Sequence, residues 1–131
     1  MSAEKAIFNI LSTNSALIAK VPKARIYPSL IPLDTTLPAI AYMLVSSVEQ
    51  TSIGLTTNRL RSRVQVTIAA KTYPQVKEIA ALVDTACNHR QGTFNGVQVD
   101  SVIKDMVGAD YRDDEVGIHY STIDFRIAHG N

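Results

Sequence analysis

The sequence predicts an α+β domain, with an N-terminal helix and a second helix at about 73–89 packed on a mainly antiparallel sheet of about four to five strands. Three stretches carry that expectation. Between Arg59 and Ile68, Leu60, Val64, Val66 and Ile68 fall on one parity, while Arg59, Arg61, Arg63, Gln65 and Thr67 fall on the other. Period-two alternation builds a strand with one face in a core and one face polar. Farther on, Val76, Ile79, Ala80, Val83, Ala86 and Cys87 recur at helical spacing and make one buried stripe. Asn95-Gly96 is a tight-turn signal between Thr93-Phe94 and Val97-Gln98-Val99.

The elements follow in order. Ser2 can cap a first helix whose apolar stripe is Ala3, Ile7, Ile10 and Leu11. Asn14 restarts a short helical turn with Leu17 and Ile18, which Pro22 ends. Arg25-Ile26-Tyr27-Pro28 reads as a short extended piece. Pro28, Pro32 and Pro38 make residues 28–38 a rigid connector without a regular ladder. Ala39 to Ser47 is apolar on both parities, with Ile40, Tyr42 and Leu44 on one and Ala41, Met43 and Val45 on the other. Such a strand is covered on both sides.

Residues 49–58 are small and polar around Gly54 and read as a long hairpin loop. The arginine strand then spans roughly 59–70. Thr72 caps the next helix, Pro74 is tolerated in its first turn, and Lys77, Glu78, Asp84 and Asn88 face water. Gly92 ends the connection. A strand is expected over about 97–107, an acidic loop over 108–117, and a last strand over about 118–129. In that last strand Ile118 and Tyr120 share one parity, but Ile123, Phe125 and Ile127 share the other. A bulge near Ser121–Thr122 would reconcile them.

Composition narrows the function. A chain of 131 residues fits one domain, spanning 1–131, and needs no disulfide or metal to bury a core. The net charge of +1 gives no overall attraction to nucleic acid or membrane, so a local patch must make any such case. A single cysteine, Cys87, excludes an internal disulfide and suits a reducing compartment. No apolar run reaches the ~18 residues of a membrane span. The first residues have no long apolar stretch behind them and do not read as a signal peptide. Tryptophan is absent, which argues against a base-stacking platform.

Catalytic groups do not converge. His89, His119 and His129 stand at no metal spacing with each other or with Cys, Asp or Glu. Cys87 lies on the apolar stripe of a helix, where a thiol is buried and inert. Asp110, Asp113, Asp114 and Glu115 lack the order of a calcium loop. They form either a solvated loop or a surface that docks a basic partner. No glycine-rich phosphate cradle is present, and no pair of residues stands in a readable acid–base relation.

Arg59, Arg61 and Arg63 remain as the notable feature. A strand sets alternate side chains roughly 6.6 Å apart on one face, close to phosphate spacing. Three readings stay open: a solvated face opposite carboxylates across the ladder, a protein interface, or a nucleic-acid contact. Ile53 and Leu55, in the expected loop, are further interface candidates.

The order of features resembles a family. Ile7, Leu11 and Leu17 precede Arg25-Ile26-Tyr27-Pro28, and Leu37-Pro38-Ala39-Ile40-Ala41-Tyr42 follows. Then come Arg63-Val64-Gln65-Val66, Lys71-Thr72-Tyr73, Ala80-Ala81-Leu82-Val83 and Gly96-Val97. An acidic turn and Ile123-Asp124-Phe125-Arg126-Ile127 close the run. Over roughly residues 3–128 this is similar to the tail-completion, or tail-terminator, proteins of long-tailed phages with flexible tails and of prophages.

The resemblance implies a structural virion protein, assembled in the bacterial host cytoplasm and placed at the head-proximal end of the tail. It implies a ring, typically hexameric, that caps the tail tube and stops its polymerisation. The ring then presents a surface to the head-side connector protein. Partners would be further copies of the chain, the tube protein and the connector, with no membrane, no cofactor and no turnover. DNA passing through the bore would make only weak, sequence-independent contacts. The alternatives are a head-side adaptor or stopper protein and, from another class, a small nucleic-acid-binding module.

Overall fold

The computed structural model describes residues 2–32, 34–52 and 55–130, with the backbone alone for residues 2, 50–52 and 55–58. Helix α1 (Ser2–Thr13) and the short α2 (Ser15–Lys20) open the chain. Asn14 caps α2: its side-chain oxygen accepts the Leu17 N–H at 3.0 Å. The expected capping by the Ser2 side chain lies outside the described residues. A 3-10 turn (Lys23–Arg25) leads into β1 (Ile26–Pro28).

Two long strands follow, β2 (Ala39–Ser52) and β3 (Leu55–Ala70), and then α3 (Tyr73–Cys87). Thr72 caps α3 by accepting the Gln75 N–H at 3.3 Å. The chain closes with β4 (Arg90–Phe94), β5 (Val97–Val107), β6 (Tyr111–Asp113) and β7 (Ile118–Gly130).

All seven strands join one sheet in the order β1-β2-β3-β7-β5-β4, with β6 added on β7. The sheet is larger than the four to five strands expected, and it is mixed because β1 runs parallel to β2. The remaining ladders are antiparallel. The two additions, β4 and β6, are short and polar. Their burial alternates weakly or not at all, so backbone pairing alone defines them.

One face of the sheet is packed against the helices. Val64, Val66 and Ile68 of β3 meet Ile123, Phe125 and Ile127 of β7, and α1 and α3 lay Ile7, Ile10, Leu11, Val76, Ile79 and Val83 over them. The parity read from the sequence holds: Val64, Val66 and Ile68 are fully buried, and the arginines point to the other side. Cys87 is buried in this core, and burial pushes its thiol up to about 12. Asp84 and Asn88, expected to face water, instead hold β5. Asp84 accepts from Lys104 Nζ at 2.9 Å, and the Asn88 side chain accepts the Lys104 N–H at 2.9 Å.

Three further expectations need correction. Residues 49–58 are not a long loop. The β2–β3 ladder continues from Gln50↔Arg59 to Ser52↔Leu55, so the hairpin runs on past the end of β7, which pairs only as far as Arg59↔Gly130. Backbone pairing between β2 and β3 forms this ribbon, so it needs no alternating apolar pattern in the sequence. Ile53 and Gly54 lie outside the described residues.

The bulge near Ser121–Thr122 is absent as well. β7 pairs with β3 without interruption from Ala70↔His119 to Arg59↔Gly130. Ser121, Ile123, Phe125, Ile127 and His129 all point into the core. Tyr120 lies on the opposite face and stacks on Tyr111 at 4.9 Å. Apolar residues on both parities therefore mark two covered faces. The register shifts fall on β5, between Val99 and Ser101 and between Lys104 and Met106.

Gly92 does not end the helix connection. It sits in β4 at a shift of the β4–β5 register, with φ 134. His89 makes the turn out of the helix at φ 63, and its N–H donates to the Val102 carbonyl at 2.7 Å.

Candidate functional site

The face of the sheet turned away from the helices holds the arginine strip. Arg63 of β3 lies opposite Arg126 of β7, a direct cross-strand pair of cations. Two like charges at this spacing repel. Asp105, displaced outward where the β5 register shifts, resolves the conflict by bridging both. It accepts from Arg63 Nη2, and from Arg126 Nη2 at 2.7 Å. The Arg126 hydrogen bond, together with the charge of Arg63, holds the Asp105 carboxyl below the usual carboxylate range.

Arg63 also reaches Asp124 at 3.6 Å. Asp124 is 4% exposed, and its Oδ1 has no hydrogen-bond partner. Arg59 pairs with Asp100 of β5. Arg61, flanked by Val48 on β2 and Ala128 on β7, has no ion-pair or hydrogen-bond partner among the described residues. The strip is thus a charge lattice with one guanidinium left over. Asp100, Asp105, Asp124 and Arg126 belong to it but were not singled out in the sequence. The signal was faint: Arg126 sits between Phe125 and Ile127 on the parity that faces away from the core, whereas Asp105 shares the parity of the buried Val97 and Val99 and is redirected only by the β5 register shifts.

The acidic segment divides in two. Asp110 turns back to α3, accepting from Tyr73 Oη and Lys77 Nζ at 3.1 Å each. The Lys77 hydrogen bond, aided by Ser121 and Tyr73, lowers its pKa. Asp113 ends β6, and Asp114, Glu115 and Val116 form the turn before β7. Gly117, at φ 68, closes that turn by donating its N–H to the Asp113 carbonyl at 2.7 Å. Asp114 accepts from Arg112 at 2.8 Å but remains 85% exposed. Of the two apolar candidates, Leu55 begins β3, with its backbone alone described, and Ile53 lies outside the described residues.

Two grooves flank the same outer face at its other end. One, of about 610 Å³, runs between Leu30, Met43, Tyr111 and Tyr120. The other, of about 680 Å³, lies between the 31–37 connector and the turn bearing Val116. Hydroxyls and carboxylates line both, Ser29 and Asp113 in the first and Thr35 and Asp34 in the second, but among the described residues no hydrogen bond joins such a pair there.

One Ser–His pair exists on the helix-covered side. His129 Nδ1 donates to the Gly130 carbonyl at 2.7 Å, so Nε2 accepts the Ser62 hydroxyl at 2.7 Å. Ser47 lies 3.0 Å from Ser62 and completes the chain. Ser62 and His129 are 1% and 2% exposed. The chain satisfies buried polar groups between β3 and β7, and only its Ser47 end is exposed. Among the described residues, no three His, Cys, Asp or Glu side chains could hold a metal ion, and no helix is long and apolar enough to cross a membrane.

The fold is one found in virions. A chain from a structure titled "Virion of native gene transfer agent (GTA) particle" has a TM-score of 0.77 to this chain, covering 99% of it and 96% of that chain at 13% identity. A second solved chain has a TM-score of 0.64, covering 98% of this chain and 94% of its own at 13% identity. At these identities the likeness is one of fold. No curated protein matches the chain by sequence.

The family match is direct. The model of the family described as tail completion protein gp17 matches residues 5–130, and the chain belongs to that family. It is a structural protein of the phage tail, located in the virion.

Proposed function

We propose that the chain forms a ring, hexameric in this reading, that caps the finished tail tube, ends its polymerisation and offers the joining surface to the head-side connector protein. The family match over residues 5–130 is the observation that carries the proposal. The architecture supports it. Helices cover one face of the sheet, and much of the other carries groups that remain exposed, among them Met43, Val48 and Arg61. One self-complementary pair of unlike patches, repeated around an axis, closes into a ring.

The work in this reading is mechanical. The chain binds copies of itself and the tube protein, transforms no substrate and needs no cofactor. Four arginines against three carboxylates on the outer face leave it only slightly positive. Any contact with DNA in the bore is therefore weak and salt-sensitive.

Electron microscopy of purified protein added to tail tubes that lack it tests the proposal. Rings seated on one end of each tube, with tube growth halted, are expected. Bare tubes that keep growing at high protein concentration would refute the capping role. Pull-down on tube protein against connector protein separates a tail cap from a head-side adaptor.

A further inference from the structure

Two features at opposite ends of β7 match one another and cannot meet within one chain. At one end is Arg61, the guanidinium of the strip without a partner among the described residues, beside Val48, which is 62% exposed. Arg59, Arg63 and Arg126 around it are each engaged by a carboxylate. A shallow depression of about 280 Å³ lies between Ser46, Val48, Arg61 and Arg126. At the other end is the turn before Ile118. It holds Asp114, Glu115 and Val116, all exposed, and the Glu115 carboxylate has no partner among the described residues. Ile118 and Ala128, which mark the two ends, are ten residues apart on one strand, roughly 33 Å at about 3.3 Å per residue.

We propose that the acidic turn of one copy docks on the Arg61 depression of the next, Glu115 pairing with Arg61 and Val116 packing on Val48. The proposal rests on the ring reading and deepens it by naming the self-contact. An unpaired guanidinium and an unpaired carboxylate on the same chain are complementary in charge. Each stands beside an exposed valine, so the apolar parts match too. Arginine suits the role, because its planar fork binds a carboxylate through two hydrogen bonds. The Asp114–Arg112 pair at the rim is exposed and weakly held, so the turn is free to offer its carboxylates outward.

The contact joins unlike patches, which is the head-to-tail arrangement that propagates around an axis. One turn covers less than the roughly 1,200 Å² of a stable interface. Its role is therefore to set the direction and register of neighbouring subunits, as charged pairs do at other interfaces.

A charge swap tests this. Arg61→Glu and Glu115→Lys are made singly and together, and assembly is followed by sedimentation over rising protein concentration. Both positions are exposed, so melting temperatures should match the wild type. Each single variant should need at least roughly tenfold more protein to assemble. The combined variant should return to within about threefold of the wild type, because the pair is restored with its signs reversed. Single variants that assemble like the wild type overturn the docking contact, as does a combined variant no better than either single one. The ring reading survives both of those results. A wild-type chain that stays monomeric at every concentration, and on tail tubes, overturns the ring reading itself and this contact with it.

Discussion

Replacing Phe125 by alanine probes whether β7 is the keel of the fold. Phe125 is fully buried, paired across the ladder with Val64, and lies under the helices. A Phe→Ala change in a sealed core costs about 3–5 kcal/mol, the lost transfer energy plus the cavity left behind. At about 2.1 cal/mol/K per residue, unfolding a 131-residue chain carries an entropy of roughly 0.28 kcal/mol/K. The melting temperature should therefore fall by about 11–18 °C. Calorimetry at matched protein concentration measures this, since association would otherwise shift the midpoint. Met106→Ala is the control: Met106 is 50% exposed, and its loss should move the midpoint by no more than about 2 °C. If Phe125→Ala melts within about 3 °C of the wild type, β7 is not sealed between helices and sheet, and the core described above is wrong.

Asp105→Asn removes the charge that separates Arg63 from Arg126. The wild-type carboxyl titrates below its unfolded value near pH ~3.9, so its stabilisation is present above that pH and fades as the pH falls through the folded value. The variant should melt lower than the wild type at pH 6, with the gap closing on acidification toward about pH 3; a gap constant across that range would contradict the bridge. Cys87, its thiol pushed up to about 12 by burial, should react with a disulfide reagent at pH 8 only after denaturant is added, and rapid labelling of the native chain would place it outside the core. A Cβ on Gly108 would clash with Thr122 Oγ1. Gly108→Ala should cost about 1–3 kcal/mol by overpacking, and adding Thr122→Ala should recover most of it; no recovery would show that the clash is not with that hydroxyl.

Legibility in the sequence followed the strength of periodicity. Residues 60–68 and 76–87 each bury one face and were read with correct parity, because a one-residue slip would put every apolar group in water. The caps at Asn14 and Thr72 were legible for a local reason: each side chain bonds the backbone three residues on. The segment 49–58 was misread as a loop because its small, polar residues show little of the alternation that reveals a strand. Strands β4 and β6 were missed for a related reason, since short polar segments gain their pairing from neighbours that are distant in sequence. For the site, Arg59, Arg61 and Arg63 were identifiable from spacing alone. Their division into three engaged arginines and one free one, counting Arg126, was not. That division depends on where the register shift of β5 pushes Asp105, a property of tertiary pairing.

A subunit built for association must expose adhesive surface without pairing at random. The β2 edge is the hazard here. β1 covers it only from Ile40 to Tyr42, while Met43, Val45 and Val48 beyond are exposed. A flat, uncovered edge of that kind is a template for strand addition by any chain. The β2–β3 register breaks twice along it, between Leu44 and Ser46 and between Gln50 and Ser52. Each break increases the local twist and spoils the row of donors and acceptors that a stray strand would need. The arginine lattice restrains the outer face in a similar way. Pairing Arg59, Arg63 and Arg126 internally removes most of its capacity to bind any anionic surface and concentrates the remaining attraction at Arg61. A single unsatisfied charge beside a single exposed valine is a selective address, because only a partner offering a carboxylate and an apolar group at the same spacing satisfies both. The turn of Glu115 and Val116 offers that combination on every copy.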